Sequence, residues 1–232
     1  MNIQGLIFDK DGTLFEFQSS WSDWFYNLLV ELSDKNQNII ADIARALNFN
    51  LETKSFDSGS QFIAGTLDET INLISPFLEN KSDSDIKKMV VENLENLNPR
   101  PATNLKKLFS FLKSNKYALG VVTNDQEKST KTQLQNANIF SFFDFIAGCD
   151  SGFGYKPDPQ PLLAFSDHVN LPKSSIAMIG DSTHDLKAGI KANMLTVGVL
   201  SGVAGRDDLQ PYANVILKSI ADLPEWLKQV NN

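Results

Sequence analysis

Cysteine is almost missing from this chain: Cys149 stands alone among 232 residues. No internal disulfide can form, and a reducing compartment is expected. No activating pattern surrounds Cys149, which reads as a small core residue. Histidine is scarce too, with His168 and His184 alone, and no His/Cys spacing suggests a zinc site. No apolar run approaches the roughly 20 residues needed to cross a bilayer. The apolar stretch GLIFD starts within a few residues of Met1, which leaves no room for a signal peptide. Basic residues form no cluster, and 21 Lys and Arg against 28 Asp and Glu give a net charge of −7. That balance argues against nucleic acid as a main partner. The expectation is a cytoplasmic protein with neither a nucleic-acid nor a membrane partner.

What is present is a globular composition, 42% hydrophobic and 21% charged. It suits one large domain or one domain carrying an insert. Short continuous apolar runs read as strands buried on both faces: Gly5 to Asp9, Ala118 to Thr123, Phe145 to Gly148, Ile176 to Asp181, Leu195 to Leu200 and, more weakly, Val215 to Leu217. Strands of this kind belong to parallel sheets. From residue 100 onward helical patterns separate them, including the stripe of Leu105, Leu108, Phe109 and Leu112, a helix opened by Pro161, and one that Asn193 could close in the left-handed conformation. The alternation predicts a doubly wound, mainly parallel α/β sheet.

Residues 16–97 differ, because they contain no convincing strand. Trp21, Trp24, Phe25, Leu28, Leu29 and Leu32 fall at helical spacing, as do Ile39, Ile40, Ile43, Ala44 and Leu47. Thr66 and Glu69 fit a capping box opening a helix to about Leu78, and Asp85 to Leu97 reads as another helix. The expected organisation is an α/β core of residues 1–15 and 98–232, with an all-helical unit of residues 16–97 inserted after the first strand. Asn98-Pro99-Arg100-Pro101 reads as a stiff return linker.

Three of the predicted strands end in polar residues: Asp9, Thr123 followed by Asn124, and Asp181. In an open parallel sheet, ligands bind beyond the carboxyl ends of the strands, where the winding reverses. Asp9, Asp11, Asp181 and Asp185 would crowd there and call for a cation. An oxygen-only set suits Mg²⁺. Each aspartate taken singly could be a helix cap. Gly12 allows a sharp turn that brings N–H groups toward an anion, and Thr123 with Asn124 offers donors near a helix start. Lys156 lies in the Gly/Pro loop Gly154-Tyr155-Lys156-Pro157.

These residues resemble the four motifs of the haloacid dehalogenase superfamily. Asp9-Lys10-Asp11-Gly12-Thr13-Leu14 is similar to its first motif, Thr123 to the second, Lys156 to the third, and Asp181 with Asp185 to the fourth. The helical insert matches the family's cap, and the phosphoglycolate-phosphatase-like branch resembles the chain most. The resemblance implies a Mg²⁺-dependent phosphatase acting on a small phosphorylated metabolite. Asp9 would be the nucleophile that forms an aspartyl-phosphate, and Asp11 the general acid and then base. Thr123, Asn124, Gly12 and Lys156 would bind phosphate. Asp9, Asp181 and the backbone carbonyl of Asp11 would hold the metal, with Asp185 orienting water or Lys156. Lys10 stands where many members carry an apolar residue and is expected to point away, contributing mostly its backbone. His184 replaces a commoner small polar residue; it could contact substrate, although a surface position at a helix start is expected.

Two other readings stay open. A sugar phosphomutase similar to β-phosphoglucomutase shares the core but needs an acid/base group from the cap, and the insert contains no histidine. A non-catalytic phosphometabolite-binding protein would not need the full set of catalytic residues. Substrate choice is expected in the segment Lys54 to Thr66, with Lys54, Ser60 and Gln61 as candidate specificity residues, and cap hinges near Glu16 and Asn98. The sequence leaves monomer and homodimer both open, and the Phe140, Phe142, Phe143, Phe145 cluster is the stretch to check for exposure.

Overall fold

The computed structural model describes residues 2–57, 60–95 and 99–231, the side chains at 19, 63, 64 and 95 excepted. Two compact units divide the chain, Met1–Phe17 with Arg100–Asn232, and Gln18–Pro99. The expected hinge position Asn98 lies outside the described residues.

The strands are β1 (Gly5–Phe8), β2 (Phe49–Asn50), β3 (Ser55–Phe56), β4 (Ala118–Val122), β5 (Phe145–Ala147), β6 (Ile176–Gly180), β7 (Leu195–Val199) and β8 (Val215–Leu217). The larger unit holds a six-stranded sheet in the order β5-β4-β1-β6-β7-β8. Every pairing within it is parallel. β1 lies centrally, with Leu6 opposite Leu119 on β4 and opposite Ala177 on β6. The winding reverses beside β1, so a crevice opens at the carboxyl ends of β1, β4 and β6.

The sheet is buried on both faces, as its unbroken apolar strands require. One layer packs Leu6, Phe8, Val121 and Ile179 against Phe109, Leu112 and Trp226. The other packs Ile7, Val122 and Met178 against Leu162, Phe165 and Ala188. Phe109 is fully buried and meets Phe8 edge to face at 5.3 Å. The cluster of Phe140, Phe142 and Phe143 is half-buried against the first layer and Phe145 against the second, so these rings serve the core.

The core helices run Leu105–Ser114, Glu127–Asn136, Gln160–Val169, Thr183–Lys191, Arg206–Leu209 and Leu223–Asn231. Pro161 occupies the second position of its helix rather than the first. Asn193 has φ +56, the left-handed value expected after the helix Thr183–Lys191. The insertion point is stapled: the Glu16 N–H donates to the Arg100 carbonyl at 2.8 Å and the Ala102 N–H to the Leu14 carbonyl at 2.9 Å.

The smaller unit contains helices Gln37–Ala46, Gln61–Ala64, Leu67–Ile74 and Asp83–Glu95, and most of Phe17–Leu32. It is not purely helical, since β2 and β3 form a two-residue antiparallel ribbon. Asn50 builds its turn by accepting from the N–H groups of Glu52 and Thr53. A ribbon this short has too few alternating positions to register as a strand in sequence. The aromatic stripe is a core: Phe25 lies 4.9 Å from Phe49 and 4.8 Å from both Phe56 and Phe62, and Trp21 meets Trp24 at 5.0 Å. The Thr66 capping box forms as expected, with the Thr66 N–H on Glu69 Oε2 at 2.7 Å.

Candidate active site

The end of β1 delivers Asp9 into the crevice, its N–H anchored on the Ile179 carbonyl of β6 at 2.9 Å. The end of β6 delivers Asp181, and the first turn of the helix Thr183–Lys191 delivers Asp185. That helix opens with a capping box in which Asp185 Oδ2 accepts from the Ser182 N–H at 2.9 Å and Ser182 Oγ at 2.7 Å. Lys156 arrives from the loop after β5. Its ammonium lies 2.5 Å from Asp9 Oδ1 and 2.6 Å from Asp185 Oδ1. Asp9, Lys156, Asp181 and Asp185 are all buried. Asp9, Lys156 and the pair Asp181 and Asp185 come from segments far apart in sequence, and the fold brings them together.

Three buried carboxylates face one ammonium. Burial pushes the Asp9 carboxyl up to about 7 against the attraction of Lys156, with repulsion from Asp185 and Asp11 adding to the rise. Burial also drives Asp181 well above the ordinary carboxylate range, helped by Asp9 and Asp185. For Lys156 burial pulls downward, but Asp185 and Asp9 outweigh it and the net direction is up, so the lysine stays charged.

The residues fit a divalent cation. Ligand oxygens of Asp9, Asp181 and Asp185 all lie within 4.8 Å of one another. Asp181 Oδ2 is buried and has no hydrogen-bond donor among the described residues. A buried carboxylate oxygen without a donor is costly unless a cation meets it. Asp185 differs, because Lys156 and Ser182 engage its two oxygens. The donor set is oxygen alone, which matches a hard ion such as Mg²⁺.

Gly12 has φ +88, and a Cβ there would run into the Asp181 carboxylate. Its N–H donates to the Phe15 carbonyl at 2.7 Å and its carbonyl accepts from Ser201 Oγ at 2.8 Å. Gly12 therefore contributes a tight turn packed against Asp181, and its own N–H is engaged within that turn.

Asn124 was expected to hold phosphate, but its carboxamide is committed elsewhere. It donates to the Lys156 carbonyl and accepts from the Lys156 N–H, both at 2.9 Å. This two-point clamp fixes the backbone that carries the Lys156 ammonium. Thr123 is buried at the end of β4, and its hydroxyl accepts from the Asp125 N–H at 3.2 Å.

Lys10 departs from expectation. It is fully buried, and its ammonium pairs with Asp11 Oδ2, with Asp125 Oδ2 at 2.9 Å and with Gln133 Oε1 at 2.7 Å. Burial pulls its pKa down, yet Asp11 and Asp125 overcome this and the net direction is up. A lone sequence hides this arrangement because Asp125 and Gln133 lie more than a hundred positions away.

Other contributors carried little signal in sequence. Thr13 Oγ1 donates to Asp181 Oδ1 at 3.3 Å. A Cβ at Gly202 would overlap the Asp181 carboxylate, so the loop after β7 closes on that residue. Ser182 was not read from the sequence, although Ser-x-x-Asp at a helix start is the signal that could have found this cap. His184 is half-buried at its helix start.

The candidate specificity residues belong to the smaller unit. Lys54 pairs with Asp23 at 3.1 Å and lies over the Tyr26 ring. Gln61 is exposed. Ser60 is buried: its hydroxyl donates to the Leu47 carbonyl at 2.5 Å and accepts from the Phe62 N–H at 3.3 Å. It is a helix cap, which removes it from the set of side chains open to a ligand.

Comparison with known proteins agrees with this geometry. The family model for haloacid dehalogenase-like hydrolases matches residues 6–199. The chain is 25% identical over 235 aligned residues to the pyrophosphatase PpaX of Bacillus mycoides, covering 100% of both chains. It superposes on a predicted phosphoglycolate phosphatase from Haemophilus somnus with a TM-score of 0.76 at 19% identity, covering 97% of this chain and 98% of the other. A structure of YfnB from Bacillus subtilis bound to magnesium gives a TM-score of 0.70 at 20% identity, covering 98% of this chain and 100% of that one. With the motif residues at the carboxyl end of the sheet and a family match across most of its length, the chain belongs to the haloacid dehalogenase-like hydrolases and is an enzyme of their phosphatase type.

Proposed function

We propose that the chain is a magnesium-dependent phosphatase that hydrolyses a small phosphorylated metabolite through an aspartyl-phosphate on Asp9. The observation that carries this reading is the contact of Lys156 with both Asp9 and Asp185, beside an Asp181 oxygen that has no donor among the described residues.

In the first step Asp9 Oδ attacks phosphorus, the bond from phosphorus to the leaving oxygen breaks, and Asp11 gives that oxygen a proton. In the second step water attacks the same phosphorus and Asp11 takes its proton. Phosphate departs and Asp9 is regenerated. Lys156 offsets the charge gathered on Asp9 and the phosphoryl group, while Asp185 holds the ammonium in place. Thr123, with the backbone N–H of Asn124, holds phosphate oxygens. The side chains of Asp9 and Asp181 and the carbonyl of Asp11 would hold Mg²⁺. When bound there, a divalent cation offsets the excess carboxylate charge and favours ionised Asp9. The remaining catalysis rests on positioning and charge compensation.

The named relatives widen the substrate panel to phosphoanhydrides beside phosphate esters such as 2-phosphoglycolate. The test measures phosphate release from such a panel, pyrophosphate included, with Mg²⁺ and with EDTA, by wild type and by Asp9→Asn. Release that survives both EDTA and Asp9→Asn overturns the reading. Recovery of an isomeric sugar phosphate would favour the mutase.

A further inference from the structure

The mechanism above leaves one buried charge without a part, the ammonium of Lys10. We propose that Lys10 is a positioning residue that fixes the carboxylate of Asp11 against the phosphate-binding turn, so that proton delivery to the leaving oxygen depends on it. This inference rests on the proposed role of Asp11.

The geometry comes from three elements. Lys10 follows Asp9 at the end of β1, yet its ammonium takes partners of its own, while Lys156 holds the Asp9 carboxylate. Its ammonium meets Asp11 Oδ2 in its own loop, Asp125 Oδ2 in the turn after β4 at 2.9 Å, and Gln133 Oε1 on the helix Glu127–Asn136 at 2.7 Å. Two ion pairs, to Asp11 and Asp125, and one hydrogen bond, to Gln133, reach the ammonium from separate elements and hold it in one place. Gln133 is itself buried, so the tripod stands on a rigid helix face rather than in solvent.

Asp125 is more than an ion-pair partner. Its N–H donates to Thr123 Oγ1 at 3.2 Å and its carbonyl accepts from the Cys149 N–H at 2.9 Å. It therefore belongs to the turn that presents Thr123 and Asn124. Lys10 joins that turn to Asp11, setting the distance between the groups that would grip phosphate and the group that would move the proton. Rotation of Asp11 about its side-chain bonds would break its pair with Lys10. An apolar side chain would fill the same space without any such hold, and a fully buried charge persists only where its partners compensate it.

The test uses two aryl phosphates with different leaving groups, phenyl phosphate and p-nitrophenyl phosphate. Nitrophenolate departs with little need of a proton, whereas phenolate needs one. The quantity read is the ratio of kcat/KM for p-nitrophenyl phosphate to that for phenyl phosphate. Lys10→Met is expected to raise this ratio by about 10-fold, a part of the 10²–10⁴-fold that general-acid catalysis supplies in full. Gln133→Leu removes one acceptor and leaves no carboxylate unpaired; it is expected to raise the ratio in the same direction by a smaller factor. A merely structural defect would lower both substrates alike and leave the ratio at its wild-type value. That result in folded Lys10→Met, or in Gln133→Leu if Lys10→Met does not fold, overturns the role of Lys10. Asp9→Asn is run beside them. Activity retained by Asp9→Asn overturns the phosphoryl-transfer reading itself, and the two failures are thereby told apart.

Discussion

The crevice at the ends of β1, β4 and β6 and the segment Lys54 to Thr66 of the smaller unit are both rich in polar residues, yet they hold them differently. In the crevice Asp9, Lys156, Asp181 and Asp185 are buried, and the ion pairs of Lys156 join a strand end and a helix start remote from it in sequence. In the segment Lys54 faces Asp23 with both groups largely in solvent, and Ser60 and Thr66 cap the helices that follow them. Burial turns the first set into a device, because every unbalanced charge there costs free energy that a ligand can relieve. The second set is mostly a means of starting helices, on which a few exposed side chains are displayed.

The largest expected effect probes the crevice. Asp9→Asn should lower phosphate release by about 10⁴-fold or more, as removal of a nucleophile does elsewhere. A colorimetric phosphate assay on purified protein checks this. Next is Gly12→Ala, which places a methyl against the Asp181 carboxylate at a φ of +88. Displacement of about 1 Å can cost 10²-fold, so kcat/KM should fall by about that factor and the magnesium concentration for half-maximal rate should rise. Asn124→Ala should cost about 1–3 kcal/mol in urea unfolding, because the Lys156 N–H and carbonyl lose their partner. Its rate should fall more than its affinity for inorganic phosphate.

A pH comparison sharpens the same contrast. Without metal, Asp9 in the folded protein releases its proton only near 7, against an ordinary value of 3.8. Between those values the folded state holds a proton that the unfolded chain has lost. Stability linked to Asp9 is therefore full below about 3.8 and is lost as pH rises through 7. In EDTA, the melting temperature of wild type relative to Asp9→Asn should drop between pH 5 and pH 8, and Mg²⁺ should recover more of it at pH 8. The smallest effect belongs to the other region. Lys54→Ala should change stability by less than about 0.5 kcal/mol, since its ion pair is exposed. If the segment governs substrate choice, relative rates across the panel should still shift; unchanged relative rates would remove it from that role.

Much of the core was legible because its strands are unbroken apolar runs ending in Asp9, Thr123 and Asp181, a pattern tied to local chemistry. The ribbon of β2 and β3 was not, since two residue pairs leave no periodic trace. Asn124 was legible as a polar residue at a strand end but not as the clamp on Lys156, because its partner is a backbone and backbone partners leave no mark in sequence. Lys10, expected to contribute mostly its backbone, escaped for a related reason: nothing beside it in sequence marks Asp125 and Gln133 as partners of its side chain.

By itself the sequence determined the parallel sheet, the interruption after its first strand, and the kinds of group found at the strand ends, since each follows from local periodicity and side-chain chemistry. The tertiary structure alone decided which of those groups touch. It set Lys156 between Asp9 and Asp185, left one oxygen of Asp181 without a donor among the described residues, and turned Lys10 toward Asp11. The reason is distance: electrostatic partnership depends on separation in space and on burial, and neither is a property of neighbours along the chain.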